Sequence, residues 1–278
     1  MTDSYKKDND GKLTKNKRLI VFDGHSYFHR AYNVIIKNNS DLIDKEKNKL
    51  VTNLYLDMID RVLDKIDHDE FIIIFDTNRR TLLKKLIYAD YKANRPPPSD
   101  IQKQCENNLM DTLFNQNEYY SYYSKEGYEA DQIIAGICLL AEQKNIVTII
   151  ATKDKDLCEL LKYADVMIYD NHEFHGREYA RKKFNVEPEQ IGDYLSLVGD
   201  VSDNIPGVNK VGHKTASTLL NQFSTLENIY NNINEIKPKW KTLLENDKDK
   251  ALLSKQLTDL TPSEELLIAI KSNLLYLN

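Results

Sequence analysis

The chain has 278 residues, 41% hydrophobic and 29% charged, with only 9 Gly and 7 Pro. That is enough to bury a full core, and it excludes collagen-like and wholly disordered classes. No run of about 18 apolar residues is present, so no membrane span or membrane partner is expected. The formal net charge of −5 argues at face value against nucleic acid.

The signs are segregated, however. Arg79, Arg80, Lys84, Lys85, Lys92, Arg95 and Lys103 fall within 25 positions that hold only Asp90 and Asp100 as acids. A local basic stripe beside an acidic pocket suits a nuclease, with cations for phosphate and carboxylates for metal. Lys6, Lys7, Asp8, Asp10 and Lys12 leave no apolar core for a secretory signal. Residues 1–17 therefore read as a disordered lead-in, or as the remnant of a trimmed precursor. Cys105, Cys138 and Cys158 are odd in number and lack a Cys-x-x-Cys pair, as expected of reduced intracellular thiols.

Leu19-Ile20-Val21-Phe22 ends in Asp23-Gly24, the pattern of a buried parallel strand delivering an acid at its C-terminal end. Residues 26–34 predict a helix with Arg30 in its second turn, and residues 38–49 a polar loop. Leu50, Leu54, Met58, Val62 and Ile66 predict the core-facing stripe of a second helix. Phe71-Ile72-Ile73-Ile74-Phe75 and then Asp76 predict another acid-tipped strand. Either Asp alone could simply start a turn. In an open parallel sheet, two such tips point to one crevice beyond the strand ends.

Leu82, Leu83, Leu86 and Ile87 predict a helix over 81–89, with Lys84, Lys85 and Tyr88 around it. Tyr91-Lys92-Ala93-Asn94-Arg95 then runs into Pro96-Pro97-Pro98, which bars a helix and swings the chain outward. Basic side chains interleaved with Tyr88 and Tyr91 suit phosphate contacts and base stacking on a single strand. A solvated helix face with a rigid linker has the same composition.

Residues 101–114 predict a helix and 119–123 a short strand. Gly127-Tyr128-Glu129-Ala130-Asp131-Gln132 opens an apolar helix, residues 146–151 form a third apolar strand, and Thr152-Lys153-Asp154-Lys155-Asp156 closes the unit. Asp131 falls in a first helical turn, where capping is the plain alternative. Four carboxylates so near a core repel one another unless a cation holds them, which reads as half of a divalent-metal site. Residues 166–169 predict a fourth strand.

A helix is expected from Glu187-Pro188-Glu189 to Val198. Pro206-Gly207-Val208, three residues, then Gly212 before Lys214-Thr215-Ala216 is a helix–hairpin–helix signature. Its glycines let backbone N–H groups approach phosphate, and Gly207, Val208, Lys210, Gly212, Lys214 and Thr215 would hold duplex backbone without reading sequence. Beyond Leu226 the chain is expected to be helical, with Trp240 packed.

These residues resemble the 5′-nuclease (5′→3′ exonuclease, flap endonuclease) domain of bacterial DNA polymerase I and its stand-alone relatives, from about Leu19 to Leu260. The resemblance rests on five ordered blocks: Val21 to Ser26 with Arg30-Ala31-Tyr32, Phe75-Asp76, Tyr91 to Pro96, Gly127 to Asp131 with Lys153 to Asp156, and Gly199 to Ala216. It implies a first metal cluster of Asp23, Asp76, Glu129, Asp131 and Asp154, extended to a second by Asp156, Asp200 and Asp203. Two Mg²⁺ or Mn²⁺ per site are implied, together with the potassium ion that family members commonly hold in the hairpin. Lys92 and Arg95 would stand at the foot of a helical arch that passes a 5′ single strand, and Arg30 would face the substrate backbone. Lys84 stands where the family usually has Arg, and Gln132 where it usually has a second Asp. An amide can still accept a bond from a metal-bound water, so activity with altered metal affinity is expected.

The expected architecture is α/β, a mainly parallel central sheet flanked by helices (PIN-like or resolvase-like). It comprises a nuclease core over 18–186 with a basic arch around 79–103, then a helical region over 187–278 carrying the hairpin. The expected function is hydrolysis of DNA at 5′ ends and 5′ flaps by two divalent metals, in primer or flap removal during replication and repair. Many carboxylates without a His/Cys ligand set favour hard cations. A monomer is expected, with a fused or separate DNA polymerase as partner. The compartment would be bacterial cytoplasm, at the nucleoid, or a bacterial-derived organelle such as an apicoplast. Two rivals stand beside this reading. One is a non-catalytic, structure-specific DNA-binding protein with a decayed metal site, Gln132 being the first loss. The other is a phosphatase or small ribonuclease on a related fold, although Asp23-Gly24-His25 lacks the second Asp of a haloacid-type phosphatase.

Overall fold

The computed structural model describes residues 5–7, 13–39, 41–115 and 119–277, without the side chains of 5–7, 13–15, Arg79 and Leu275. The lead-in expected to be disordered carries a short antiparallel ladder of β1 (Tyr5–Lys7) and β2 (Leu13–Lys15), separate from the main sheet. Strands of three residues offer too few positions for an alternation to be read.

The main sheet contains β3 (Arg18–Asp23), β4 (Glu70–Ile74), β5 (Tyr122–Tyr123), β6 (Val147–Ala151), β7 (Val166–Asp170) and β8 (Glu173–His175). Their spatial order is β5-β4-β3-β6-β7-β8, parallel throughout except for the β7–β8 pair. The chain winds outward from β3 to β5, then returns to lay β6 against the other side of β3. The crevice between β3 and β6 is thus the topological switch point of an open α/β sheet.

Both sheet faces are covered, which is why the strands read as continuous apolar runs. Leu19, Val21, Ile72, Ile74 and Ile150 point to one core, and Ile20, Phe22, Ile73, Phe75 and Ile149 to the other. The second core is closed by α1 (Gly24–Asn38), α2 (Asp44–Lys65) and α4 (Asp100–Asn115). The first is closed by α5 (Ala130–Gln143) and by helices of the C-terminal third, so a single apolar core joins both halves of the chain. Those helices are α6 (Glu178–Phe184), α7 (Ile191–Val198), α8 (His213–Phe223), α9 (Leu226–Asn231), α10 (Pro238–Asn246), α11 (Lys248–Thr258) and α12 (Glu264–Asn273). No described helix is long and apolar enough to cross a membrane.

Two local expectations are corrected. The polar stretch 38–49 is helical from Asp44, because Glu46 reaches back to accept the Ile43 N–H at 3.3 Å and Asp44 and Glu46 suit a helix N-terminus. The helix expected over 81–89 shrinks to one turn, α3 (Lys84–Ile87), after a 3₁₀ turn at Arg79–Thr81. Here the Leu83 N–H donates to Gly127 O at 2.9 Å, and Leu86 stays 84% exposed. Long-range bonding overrides helical spacing at this point.

Candidate functional site

Beyond the C-terminal ends of β3, β4 and β6 lies a cleft of about 1560 Å³, lined by Asp23, Asp76, Glu129, Asp131, Asp154, Asp156, Asp200 and Asp203. All eight acids singled out in the sequence, spread over 180 positions, meet there. Asp23 ends β3 and caps α1. Its Oδ1 accepts the Ser26 N–H at 3.0 Å, and the Thr152 hydroxyl donates to its Oδ2 at 2.8 Å. Burial nevertheless pushes its carboxyl up to about 6, with Asp76 and Asp154 adding repulsion against those two bonds. Asp76 follows β4, and its Oδ1 accepts the Ala130 N–H at 2.7 Å, at the start of α5. Behind it His25 Nδ1 accepts the Asp76 N–H at 3.1 Å, while Nε2 lies 3.1 Å from Glu106 Oε1 on α4.

Asp131, Asp154 and Asp156 gather around the other wall. Burial, then the charges of Asp154, Asp23, Asp76 and Glu129, hold the Asp131 carboxyl well above the usual carboxylate range. Asp154 accepts the Asp156 N–H at 2.8 Å, and its own N–H donates to Thr152 Oγ1 at 2.9 Å. Burial and Asp154 push the Asp156 carboxyl up to about 7, and its buried Oδ1 has no hydrogen-bond partner. On the far side Asp200 Oδ1 accepts the Ser202 N–H and hydroxyl at 2.7 and 2.8 Å.

Glu129 and Asp203 differ from the rest. Glu129 is 3% exposed; Lys84 Nζ lies 3.0 Å from Oε2, Lys92 ion-pairs with Oε1, and the Tyr91 hydroxyl donates to both oxygens at 3.0 and 3.2 Å. Burial would raise this carboxyl, but Lys84 and Lys92 outweigh it and hold the group at about 2. Asp203 pairs with Arg95 and lies 3.6 Å from Lys92 Nζ. The backbone locks the same junction. Lys92 N–H donates to Asp203 O at 2.9 Å, Asn94 Nδ2 to Asn204 Oδ1 at 3.0 Å, and Asn204 Nδ2 to Asp90 O at 2.8 Å. The loop carrying Asp200 and Asp203 closes through two left-handed glycines, Gly199 at φ +76° and Gly207 at φ +60°. A Cβ on Gly207 would lie 2.5 Å from the Gly199 nitrogen.

The donor set consists of carboxylate oxygens, several of them crowded and without countercharge, which suits a hard divalent cation. The orphaned Oδ1 of Asp156 is the clearest unfilled demand. Among the described residues no three acids close on one point as a finished cage. Glu129 and Asp203, implied as metal ligands by the resemblance, carry cation partners from the protein itself. Protein cations hold both, because the basic segment docks its lysines and Arg95 onto them.

The phosphate-facing residues divide in the same way. Arg30, Arg80, Lys92 and Arg95 line the cleft as expected. Lys84, expected on the substrate side, is 6% exposed and serves Glu129. Lys85 Nζ contacts Ala89 O at 3.4 Å. Tyr91 is buried and offers no open stacking face, while Tyr88 is half-buried beside the small cluster of Leu82, Tyr91, Ile205 and Leu257. The Arg79 side chain lies outside the described residues. In the hairpin, Lys210, Gly212 and Lys214 are exposed and Thr215 is half-buried. Val208 is 2% exposed and Gly207 N–H donates to Ser254 Oγ at 2.9 Å, so these two build the loop instead of touching a ligand. Sequence reasoning passed over Thr152 and Glu106. A hydroxyl directly after an apolar strand and before Asp154 was the available signal for Thr152; nothing local marks Glu106.

Residues 18–187 match the family described as 5′-3′ exonuclease, N-terminal resolvase-like domain, and residues 186–274 match its C-terminal SAM fold. DNA polymerase I of Borreliella burgdorferi is 34% identical over 251 residues, covering 88% of this chain and 27% of that protein. The 5′-3′ exonuclease of Buchnera aphidicola subsp. Acyrthosiphon pisum is 32% identical over 254 residues, covering 87% and 86%. The chain thus spans about a quarter of the polymerase relatives and most of the shorter exonuclease. The bacteriophage T5 flap endonuclease, solved with DNA and metal ions, shares the fold with a TM-score of 0.75 at 18% identity, over 94% of this chain and 99% of that one.

Proposed function

Because the chain belongs to the 5′-3′ exonuclease family, we propose that it hydrolyses DNA phosphodiesters at 5′ ends and 5′ flaps. The observation that carries this reading is the meeting of eight acids in one cleft that Arg30, Arg80, Lys92 and Arg95 also line. Asp23, Asp76, Asp131, Asp154, Asp156 and Asp200 would hold two Mg²⁺ or Mn²⁺, with Glu129 and Asp203 shared with Lys84, Lys92 and Arg95. Bound ions of this kind supply a water of lowered pKa and stabilise an in-line displacement at phosphorus.

The chain's own residues do the rest. Arg30 and Arg80 set positive charge at the cleft mouth, where a phosphodiester enters. Lys92 sits between Glu129 and Asp203, placed to neutralise charge building on the scissile phosphate. Thr152 fixes Asp23 and Asp154 together, so the two acids keep one spacing. The exposed tip formed by Lys210, Gly212 and Lys214 would hold duplex backbone, and a potassium ion there belongs to the same proposal. The T5 relative's DNA and metal ions support the substrate and metal, and the polymerase relatives support a role in replication or repair beside a fused or separate polymerase.

Incubation with an end-labelled 5′-flap duplex and Mg²⁺ tests the reading. Cleavage near the flap junction, lost in Asp154→Ala, is the expected result. Flap binding that survives EDTA, with no turnover under Mg²⁺ or Mn²⁺, would instead establish a non-catalytic binder.

A further inference from the structure

A second depression, of about 550 Å³, lies where the last turn of α6 meets the first turn of α8. Lys155, Lys182, Lys183, Lys214 and His213 line it, and no Asp or Glu does. Lys183 Nζ donates to the Tyr179 hydroxyl at 3.0 Å, and among the described residues none of the four lysines has a carboxylate partner. In a chain of net charge −5, four lysines on one wall with no Asp or Glu among them make a local positive patch that favours a polyanion.

The depression borders the first turn of α8. The Thr215 and Ala216 N–H groups donate to Gly212 O at 3.0 Å, which leaves the His213 and Lys214 amides at the helix start without a backbone acceptor. No side chain caps α8, and a Cβ placed on Gly212 would meet nothing within 4 Å, so the approach is open. The Tyr194 hydroxyl hydrogen-bonds His213 Nδ1 and the two rings stack with centroids 5.8 Å apart, which fixes the imidazole on the wall. Lys155 lines both this depression and the acid cleft, standing between Asp154 and Asp156. Lys155 therefore bridges the acid cleft and the lysine-lined depression.

We propose that this depression is a second phosphate-binding site, in which Lys155, Lys182 and Lys183 join Lys214 to hold phosphodiester groups of the duplex arm. The assignment rests on DNA being the substrate. It adds a surface on α6 and the loop after β6 to the hairpin tip.

Equilibrium binding of a 5′-flap duplex in EDTA, measured across NaCl concentrations, tests it. Each phosphate contact contributes about 0.9 to the slope of log K against log salt, so Lys182→Gln with Lys183→Gln should flatten the slope by about 1.8, and Lys155→Gln by about 0.9. The Lys182→Arg, Lys183→Arg pair should restore the wild-type slope, which a merely structural role of these lysines would not require. Wild-type binding with unchanged slopes in the Gln variants overturns the site and leaves the nuclease reading standing. Absence of wild-type binding overturns both. Saturable binding of a free deoxynucleoside monophosphate that the double variant loses, with no change in DNA slope, would assign the depression to product and overturn the duplex assignment.

Discussion

The Gln132 side-chain carbonyl accepts the Glu129 backbone N–H at 3.3 Å, closing the first turn of α5, and Gln132 does not line the acid cleft. The position where the family pattern usually places a second Asp is committed here to starting the helix. Gln132→Ala should cost about 1 kcal/mol of stability, the scale of a lost helix cap. The Mg²⁺ concentration giving half-maximal cleavage should stay where it is. A shifted midpoint in the metal titration would show instead that the amide reaches the water shell of an ion.

Glu129 and Asp131 are two positions apart and have opposite surroundings. Glu129→Ala strands Lys84, Lys92 and Tyr91 in a buried pocket and should destabilise the protein by about 3–5 kcal/mol. Asp131→Asn removes a charge repelled by its neighbours. It should raise the metal-free melting temperature while lowering cleavage by roughly 100-fold or more. Calorimetry in EDTA beside flap-cleavage rates checks the pair. A metal-free melting temperature lowered by Asp131→Asn would contradict the account of crowded carboxylates.

Stability should depend on pH in a direction opposite to that of proteins stabilised by ion-paired carboxylates. Asp23 and Asp156, whose ordinary value is 3.8, are held at about 6 and about 7, so the folded metal-free chain keeps protons that the unfolded chain has released. Their contribution is fully present below about pH 4 and is lost as pH rises through 6 and 7. Glu129 works the other way, present above its ordinary 4.5 and lost as pH falls toward 2. Urea midpoints in EDTA should therefore fall between pH 5 and 8, and Mg²⁺ should abolish that fall by binding the ionised acids. Midpoints that climb with pH in EDTA would refute this.

Two hairpin glycines should separate cleanly. Gly207 has positive φ and meets backbone at 2.5 Å, so Gly207→Ala should cost about 1–3 kcal/mol and displace Asp200 and Asp203, with cleavage reduced further than the melting temperature alone implies. Gly212 is extended with open space around it, so Gly212→Ala should change folding stability by no more than about 0.5 kcal/mol. Thermal melts on both variants decide the matter.

The acid-tipped strands were legible because burial on both sheet faces leaves an unbroken apolar run, and an Asp at its end stands out against it. That reading extends to Asp23, Asp76 and Asp154. Local pattern was silent wherever the partner lay far along the chain. Helical spacing at Leu82, Leu83, Leu86 and Ile87 lost to the bond that the Leu83 N–H donates to Gly127 O. Lys84 and Tyr91 looked like surface contacts for a nucleic acid, since nothing nearby in sequence reveals that Glu129 waits for both.

Lys92 joins three parts of the molecule, its amide to Asp203 and its ammonium to Glu129 at the N-cap of α5. The basic segment and the acid cleft consequently share one rivet, and the segment cannot be moved here without retuning the charges inside. Inserted residues would be absorbed around the exposed Pro96 and Pro97, ahead of Ser99, which takes part in hydrogen bonds with Tyr32, Gln102 and Lys103. Divergence in the size of strand admitted should accumulate there, outside the stretch from Lys84 to Arg95.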